Sequence, residues 1–175
     1  MKSPLPALVA LSLLSLGLAP ATAFAQEDPA VTVQGDHEVR GEILVRISAD
    51  EARKLVDDPL RVSQIEGGTA QMKVVGQDAC KTIMTEISHP VASVGYLSRT
   101  CPTAKGTRTE LVESADLESF HSEWQVEEVE GGTLLRYLVR TIPRIPVPQF
   151  IVDKQSRGSV QRLLKRVKAH LEAGN

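Results

Sequence analysis

Acid–base or metal chemistry would start from the histidines, and the four present, His37, His89, His121 and His170, are scattered along the chain. Only His121 and Glu123 share a predicted strand face, at the two-residue spacing that turns both side chains to one side. Two ligands are an incomplete set for a metal, and a pair of polar residues on a solvated strand explains them equally well. No HExxH, GxSxG, phosphate-loop or dinucleotide fingerprint occurs. The sequence therefore offers no catalytic set, and no metal or cofactor is expected. The two cysteines, Cys80 and Cys101, pair into a disulfide if the chain is exported. What remains is the chemistry of contact. Trp124, Tyr137, Phe120, Val139, Phe150 and Leu163 are the candidate lining of an apolar binding site, the aromatic faces suited to stacking on a ring or polyene. The same residues would equally serve as ordinary core.

Two hairpins must position these groups. If Gly131-Gly132 is a two-residue turn, Glu130 faces Thr133. Glu127 then faces Arg136, and Glu123 faces Arg140, so opposite charges meet on one side of the ladder. The other side gathers Phe120, Trp124, Val126, Leu135, Tyr137 and Val139. Its polar groups are the Tyr137 and Ser122 hydroxyls, the Trp124 N–H and the small Thr141, a thin basis for catalysis. In the second hairpin, a turn at His89–Ala92 sets Ser88 opposite Ser93 and brings Cys80 opposite Cys101. Neighbouring strands hold such a pair near the Cα separation a disulfide requires. Tyr96 falls opposite Thr85 in that register, with its face unassigned. Strands are expected near 70–77, 80–88, 91–100, 107–114, 120–129 and 133–142.

The remaining elements are legible at the ends. Residues 1–25 read as a signal peptide: Lys2, an apolar run from Ala7 to Ala19, and small residues at Ala23 and Ala25 before the cut. Residues 26–37 read as an N-terminal leader, and 38–172 as one domain. The expected location is outside the cytoplasm, periplasmic or secreted. Val39, Gly41, Ile43, Val45 and Ile47 alternate as a half-buried strand. Ser48 and Glu51 match a capping box, Pro59 limits the helix that follows, and Gly67-Gly68 ends the next turn. At the C-terminus "PRIPVP" is a stiff connector, with Pro148 expected in the first helical turn. Val160, Leu163, Leu164, Val167 and Leu171 then form the apolar stripe of a long helix, with Gly158 a candidate kink. Charge is uneven. Residues 26–135 hold twenty acids and ten bases, whereas 136–168 hold nine bases and only Asp153. A solvated helix face with nearby compensating acids is one reading; attraction to an anionic membrane is the other. No nucleic-acid partner is expected, and the chain is expected to be a monomer.

Strand, short helices, a run of antiparallel strands and a long last helix occur in that order. With "GEILVRISADEARKLVDDP" and "SEWQVEEVEGGTLLRYLVRTIPRIPVPQFIV", the chain resembles the START-like superfamily. This group includes Bet v 1 type allergens, polyketide cyclase/dehydrase-like proteins and coenzyme Q-binding proteins. The resemblance covers about Val39 to Leu171. It implies an α+β, helix-grip fold: a curved antiparallel β-sheet wrapped around the C-terminal α-helix, with a cavity between them for apolar molecules. It therefore implies a carrier or sensor of a lipid, isoprenoid or quinone-like ligand. A cyclase- or hydrolase-like enzyme is the first alternative, and an interaction module with a filled cavity the second. The export signal and the disulfide depart from most relatives.

Overall fold

The starts of the first two helices are fixed by side chains their sequence supplies. The computed structural model describes residues 28–67, 70–88 and 93–173. Residues 1–25, expected as a signal peptide, and the turn expected at His89–Ala92 lie outside them. Ser48 and Glu51 form the reciprocal capping box that starts α1 (Ala49–Val56). Asp58 accepts from the Arg61 amide, and Pro59 takes the first position of α2 (Pro59–Glu66), where a missing N–H costs nothing. Gly67 ends α2 in the left-handed region, at φ 108°. Pro148 stands just before α3 (Gln149–Glu172) rather than inside its first turn, and α3 runs through Gly158 without a break.

Eight strands form one antiparallel sheet: β1 (Ala30–Gln34), β2 (Glu38–Val45), β3 (Ala70–Gln77), β4 (Lys81–Ser88), β5 (Ser93–Thr103), β6 (Gly106–Ser114), β7 (Leu117–Val129) and β8 (Gly132–Pro143). The spatial order is β1-β2-β8-β7-β6-β5-β4-β3. The sheet is open and curved, and the long α3 lies on its inner face, as a helix-grip α+β fold requires. Within the segment 26–37, expected as a leader, Ala30–Gln34 pairs along β2 as an edge strand. Lys165 binds Asp28, and His37 Nδ1 lies 3.4 Å from Asp153 on α3, so this segment is docked on the helix.

The β7–β8 register also differs. Val129 faces Gly132, so Glu130-Gly131 is the turn, and one left-handed position, Gly131 at φ 89°, is enough. Gly132 also has a positive φ, 149°, and has a second reason to be glycine: a Cβ there would collide with the Val45 carbonyl. The resulting shift of two residues keeps every side chain on its expected face. Glu127 now faces Leu134 and Glu123 faces Leu138. Arg136 still reaches Glu127 diagonally, while Glu123 pairs with Arg108 instead of Arg140. The β4–β5 register is the one expected, with Ser88 opposite Ser93, and Cys80 and Cys101 are joined at a Cα separation of 4.3 Å.

α3 does not sit over the middle of the sheet. It packs chiefly on β2, with β1 and α2 beside it and little of β8. Gly41 explains why. A Cβ there would lie 2.6 Å from both Leu164 Cδ1 and Val160 Cγ1, so the missing side chain is the seat of the helix. Val39, Ile43, Val45, Val160, Leu163, Leu164 and Val167 form the core at this end with α1 residues Ala52, Leu55 and Val56. Among the described residues, no helix is long and apolar enough to cross a membrane.

Candidate functional site

The register builds the inner wall row by row. Gly41 faces Tyr137, Tyr137 faces Trp124, and Trp124 faces Thr107. The next row runs Val39, Val139, Ser122, Thr109, Thr100. Thr141 faces Phe120 beyond it, and Thr85 faces Tyr96 on the far strands. Under α3 these rows are sealed: Val39 and Leu135 are 0 % exposed. Away from α3 the same wall is only half-buried at Tyr96, Phe120, Tyr137, Val139 and Thr141. Four aromatic groups stand there in two pairs. Trp124 and Tyr137 have ring centroids 4.4 Å apart, and Tyr96 and Phe120 are 5.0 Å apart. Both spacings are attractive offset or tilted contacts. The second pair meets across β6, which is what a strongly curved sheet allows.

The structure thus gathers Trp124, Tyr137, Phe120 and Val139 on one wall. Leu163 is buried in the core cluster on the helix side of the same space. Phe150 is not among them. It is 69 % exposed at the start of α3, near Ile145 and Ile151, which are also exposed. It belongs to the outer surface, and its expected place in the lining is corrected accordingly.

Three residues were not assigned to a site by the sequence: Tyr96, left without a face, Thr85 opposite it, and Glu66 at the end of α2. Tyr96 is the partner of Phe120. Thr85 is 1 % exposed, and its Oγ1 has no hydrogen-bond partner. Glu66 ends α2 and remains open to solvent, although the surrounding protein raises its carboxyl pKa by desolvation against the pull of Arg162 and Arg166. Its charge acts on both phenols. Burial first, then the Glu66 charge, raises the Tyr137 hydroxyl well above its ordinary range, with Ser122 pulling the other way. Burial pushes Tyr96 up to about 12; the Thr85 hydroxyl lowers it and the Glu66 charge adds to the rise. Tyr96 acts with Thr85, and Tyr137 with Ser122, on a wall that also carries Thr100, Thr107 and Thr109.

Other features lie outside this space. A crevice of about 520 Å³ opens where β6 and β7 part after Glu110, with Phe120, Leu111 and Arg144 in its walls. A second, of about 320 Å³, is lined by outward residues such as Thr32, Arg40, Glu42 and Arg136. Glu123 is held by Gln125 and Arg108, which keep its carboxyl below the usual range, so the His121–Glu123 pair is already engaged. Much of the basic C-terminal segment is compensated locally. Arg136 pairs with Glu127 and Glu42, and Lys165 with Asp28. Lys168 pairs with Glu172 and also donates to the Leu44 carbonyl. Arg140 and Arg166 donate to main-chain carbonyls. Lys154 and Arg157 have no ion-pair partner among the described residues.

No protein-family model and no curated protein sequence matches the chain. Solved structures do. A START superfamily protein from Mycobacterium smegmatis superposes with a TM-score of 0.69 at 16% identity, covering 79% of this chain and 99% of that one. An aromatase/cyclase from a Streptomyces species gives 0.63 at 14% identity, over 77% and 93%. A STAR-related lipid transfer protein from Xanthomonas axonopodis gives 0.59 at 13% identity, over 83% and 99%. At these identities the likeness speaks for architecture, and with the sheet order and the off-centre helix described above it leads to one conclusion: the chain has the START-like, helix-grip fold.

Proposed function

We propose that this chain is an exported, monomeric, non-catalytic binding protein for a hydrophobic small molecule, a lipid, isoprenoid or quinone-like compound, held between the sheet and α3. One observation carries the reading. Beside the buried Trp124, the inner wall at Tyr137, Phe120 and Tyr96 is only half-buried, with α3 seated on β2 at Gly41. Apolar area removed from water there would supply most of the affinity, at about 25 cal/mol per Å² before the costs of ordering. The similar structures named for lipid transfer and for aromatase/cyclase activity fit a hollow of this kind. Delivery to an anionic membrane belongs to the same reading. Ile145, Phe150 and Ile151 are exposed together, and Lys154 and Arg157 follow on the Phe150 side of α3, an apolar tip with cations behind it.

Native mass spectrometry of protein purified from its own cell envelope, followed by organic extraction, tests the proposal. A co-purifying apolar molecule that Trp124→Ala loses supports it. Repeated absence of such a molecule, together with no uptake of fluorescent lipids or quinones, overturns it and leaves the interaction-module alternative.

A second reading, a cyclase-like enzyme, draws on Glu66. A carboxyl group with a raised pKa whose charge acts on two phenols is the start of an acid–base pair. Turnover of a polyketide-type substrate that Glu66→Gln abolishes and Glu123→Gln preserves would establish it.

A further inference from the structure

The inner wall away from α3 holds a buried hydroxyl that the protein itself leaves without a partner. Thr85 Oγ1 points inward from β4, opposite Tyr96, at 1 % exposure. It is near enough to act on the Tyr96 hydroxyl but closes no hydrogen bond of normal geometry. Native proteins rarely leave such a group unpaired, since its desolvation is uncompensated. Nearby Ser98 does find a partner, the Ile83 carbonyl at 3.5 Å.

We propose that Thr85 and Tyr96 form a head-group subsite of the hollow, which takes the hydroxyl of an otherwise apolar ligand. The proposal rests on the reading of the hollow as an apolar ligand site and narrows its ligand class: alcohols and phenols over plain hydrocarbons. Thr85 would gain the partner it lacks.

Equilibrium dialysis of the full mature chain against naphthalene and 2-naphthol at neutral pH tests this on one ring system. The expected result is 2-naphthol bound about tenfold more tightly than naphthalene, the worth of one net hydrogen bond. Thr85→Val should cut the naphthol advantage to roughly twofold and leave naphthalene unchanged, because it removes one hydroxyl at nearly constant shape. Thr85→Val loses an unpaired buried hydroxyl and should melt no lower than the parent; if it fails to fold, Tyr96→Phe still decides, by lowering the naphthol advantage with naphthalene unchanged. Equal binding of the two probes, or a ratio that neither variant moves, overturns the subsite and leaves the hollow. No binding of either probe overturns the hollow and the subsite together.

Discussion

Gly41→Ala is the sharpest test of where the last helix lies. The added methyl would stand 2.6 Å from Leu164 Cδ1 and 2.6 Å from Val160 Cγ1, about 1 Å inside ordinary carbon contact. Both neighbours are buried, at 0 % and 2 % exposure, so neither can swing into water. Overpacking of this kind costs about 1–3 kcal/mol. Glycine in a strand interior is itself unfavourable by roughly 0.5–1 kcal/mol relative to alanine, which offsets part of the penalty. The net loss is about 1–2 kcal/mol, since Gly41 has no left-handed φ and space is the sole issue. For a domain of this size that lowers Tm by roughly 2–8 °C. The assay is thermal unfolding by circular dichroism, with Gly95→Ala as the control, because a Cβ on Gly95 meets nothing within 4 Å. Val160→Ala trims one of the two clashing methyls, so the double variant with Gly41→Ala should be less destabilised than the separate effects added, by on the order of 1 kcal/mol. A Gly41→Ala protein that melts like the parent, or a double variant with no coupling, would show that α3 is not seated on β2, and the argument for an open wall under Trp124 and Tyr137 would fall with it.

The chain has only two tyrosines, so alkaline titration followed at 295 nm reads both. Their folded pKa values are raised above 10.0, Tyr96 to about 12; the stability this gives is complete below pH 10, where the unfolded phenols stay protonated, and is lost as pH climbs towards 12. The expected result is no tyrosinate signal up to about pH 11 in the folded protein, then ionisation together with unfolding, and a normal transition near pH 10 would refute the buried placement. Cys80→Ser with Cys101→Ser opens a link between residues 21 apart, a loss of about 3 kcal/mol, and should lower Tm by roughly 6–12 °C; an unchanged Tm, or no mass gain on reduction and alkylation of the parent, contradicts the bond. Phe150→Ser and the pair Lys154→Glu, Arg157→Glu should each weaken co-sedimentation with vesicles containing phosphatidylglycerol, the charge variants alone becoming insensitive to salt. Equal sedimentation of all of them would exclude the α3 tip as a membrane contact.

Much of this architecture is readable in the chain because several local signals converge. The β4–β5 register follows from the turn and is checked independently by the two cysteines, and the structure keeps it. The β7–β8 register had only a glycine pair to fix it, and Gly131-Gly132 serves two masters: one residue turns the chain and the other clears the Val45 carbonyl. Reading both as the turn misplaces the pairing by two residues. Because the pleat repeats every two, the inward set of Trp124, Val126, Leu135 and Tyr137 survives that error, while the pairing of Glu123 with Arg140 does not. β1 escaped notice because an edge strand of five residues carries too little alternation to separate from a leader.

The site was less legible, for a reason that particular residues make plain. Helical spacing carried back from Val160 lands on Ser156 and Asp153, not on Phe150, so the apolar stripe ends where the helix leaves the core. Phe150 was read by its type, whereas its angular position already placed it off the stripe. Tyr96 could have been assigned by parity: it differs from Cys101 by an odd number along β5, so a disulfide on one face puts Tyr96 on the other. Thr85 and Glu66 had no such signal. "KTIMTEIS" is an ordinary threonine-bearing strand, and Glu66 is one more acid before a helix-ending glycine. Their placement arises only when the sheet curls Tyr96 towards Phe120 and α2 docks on α3. Patterning specifies which side of each element is dry; tertiary curvature decides which polar groups meet inside.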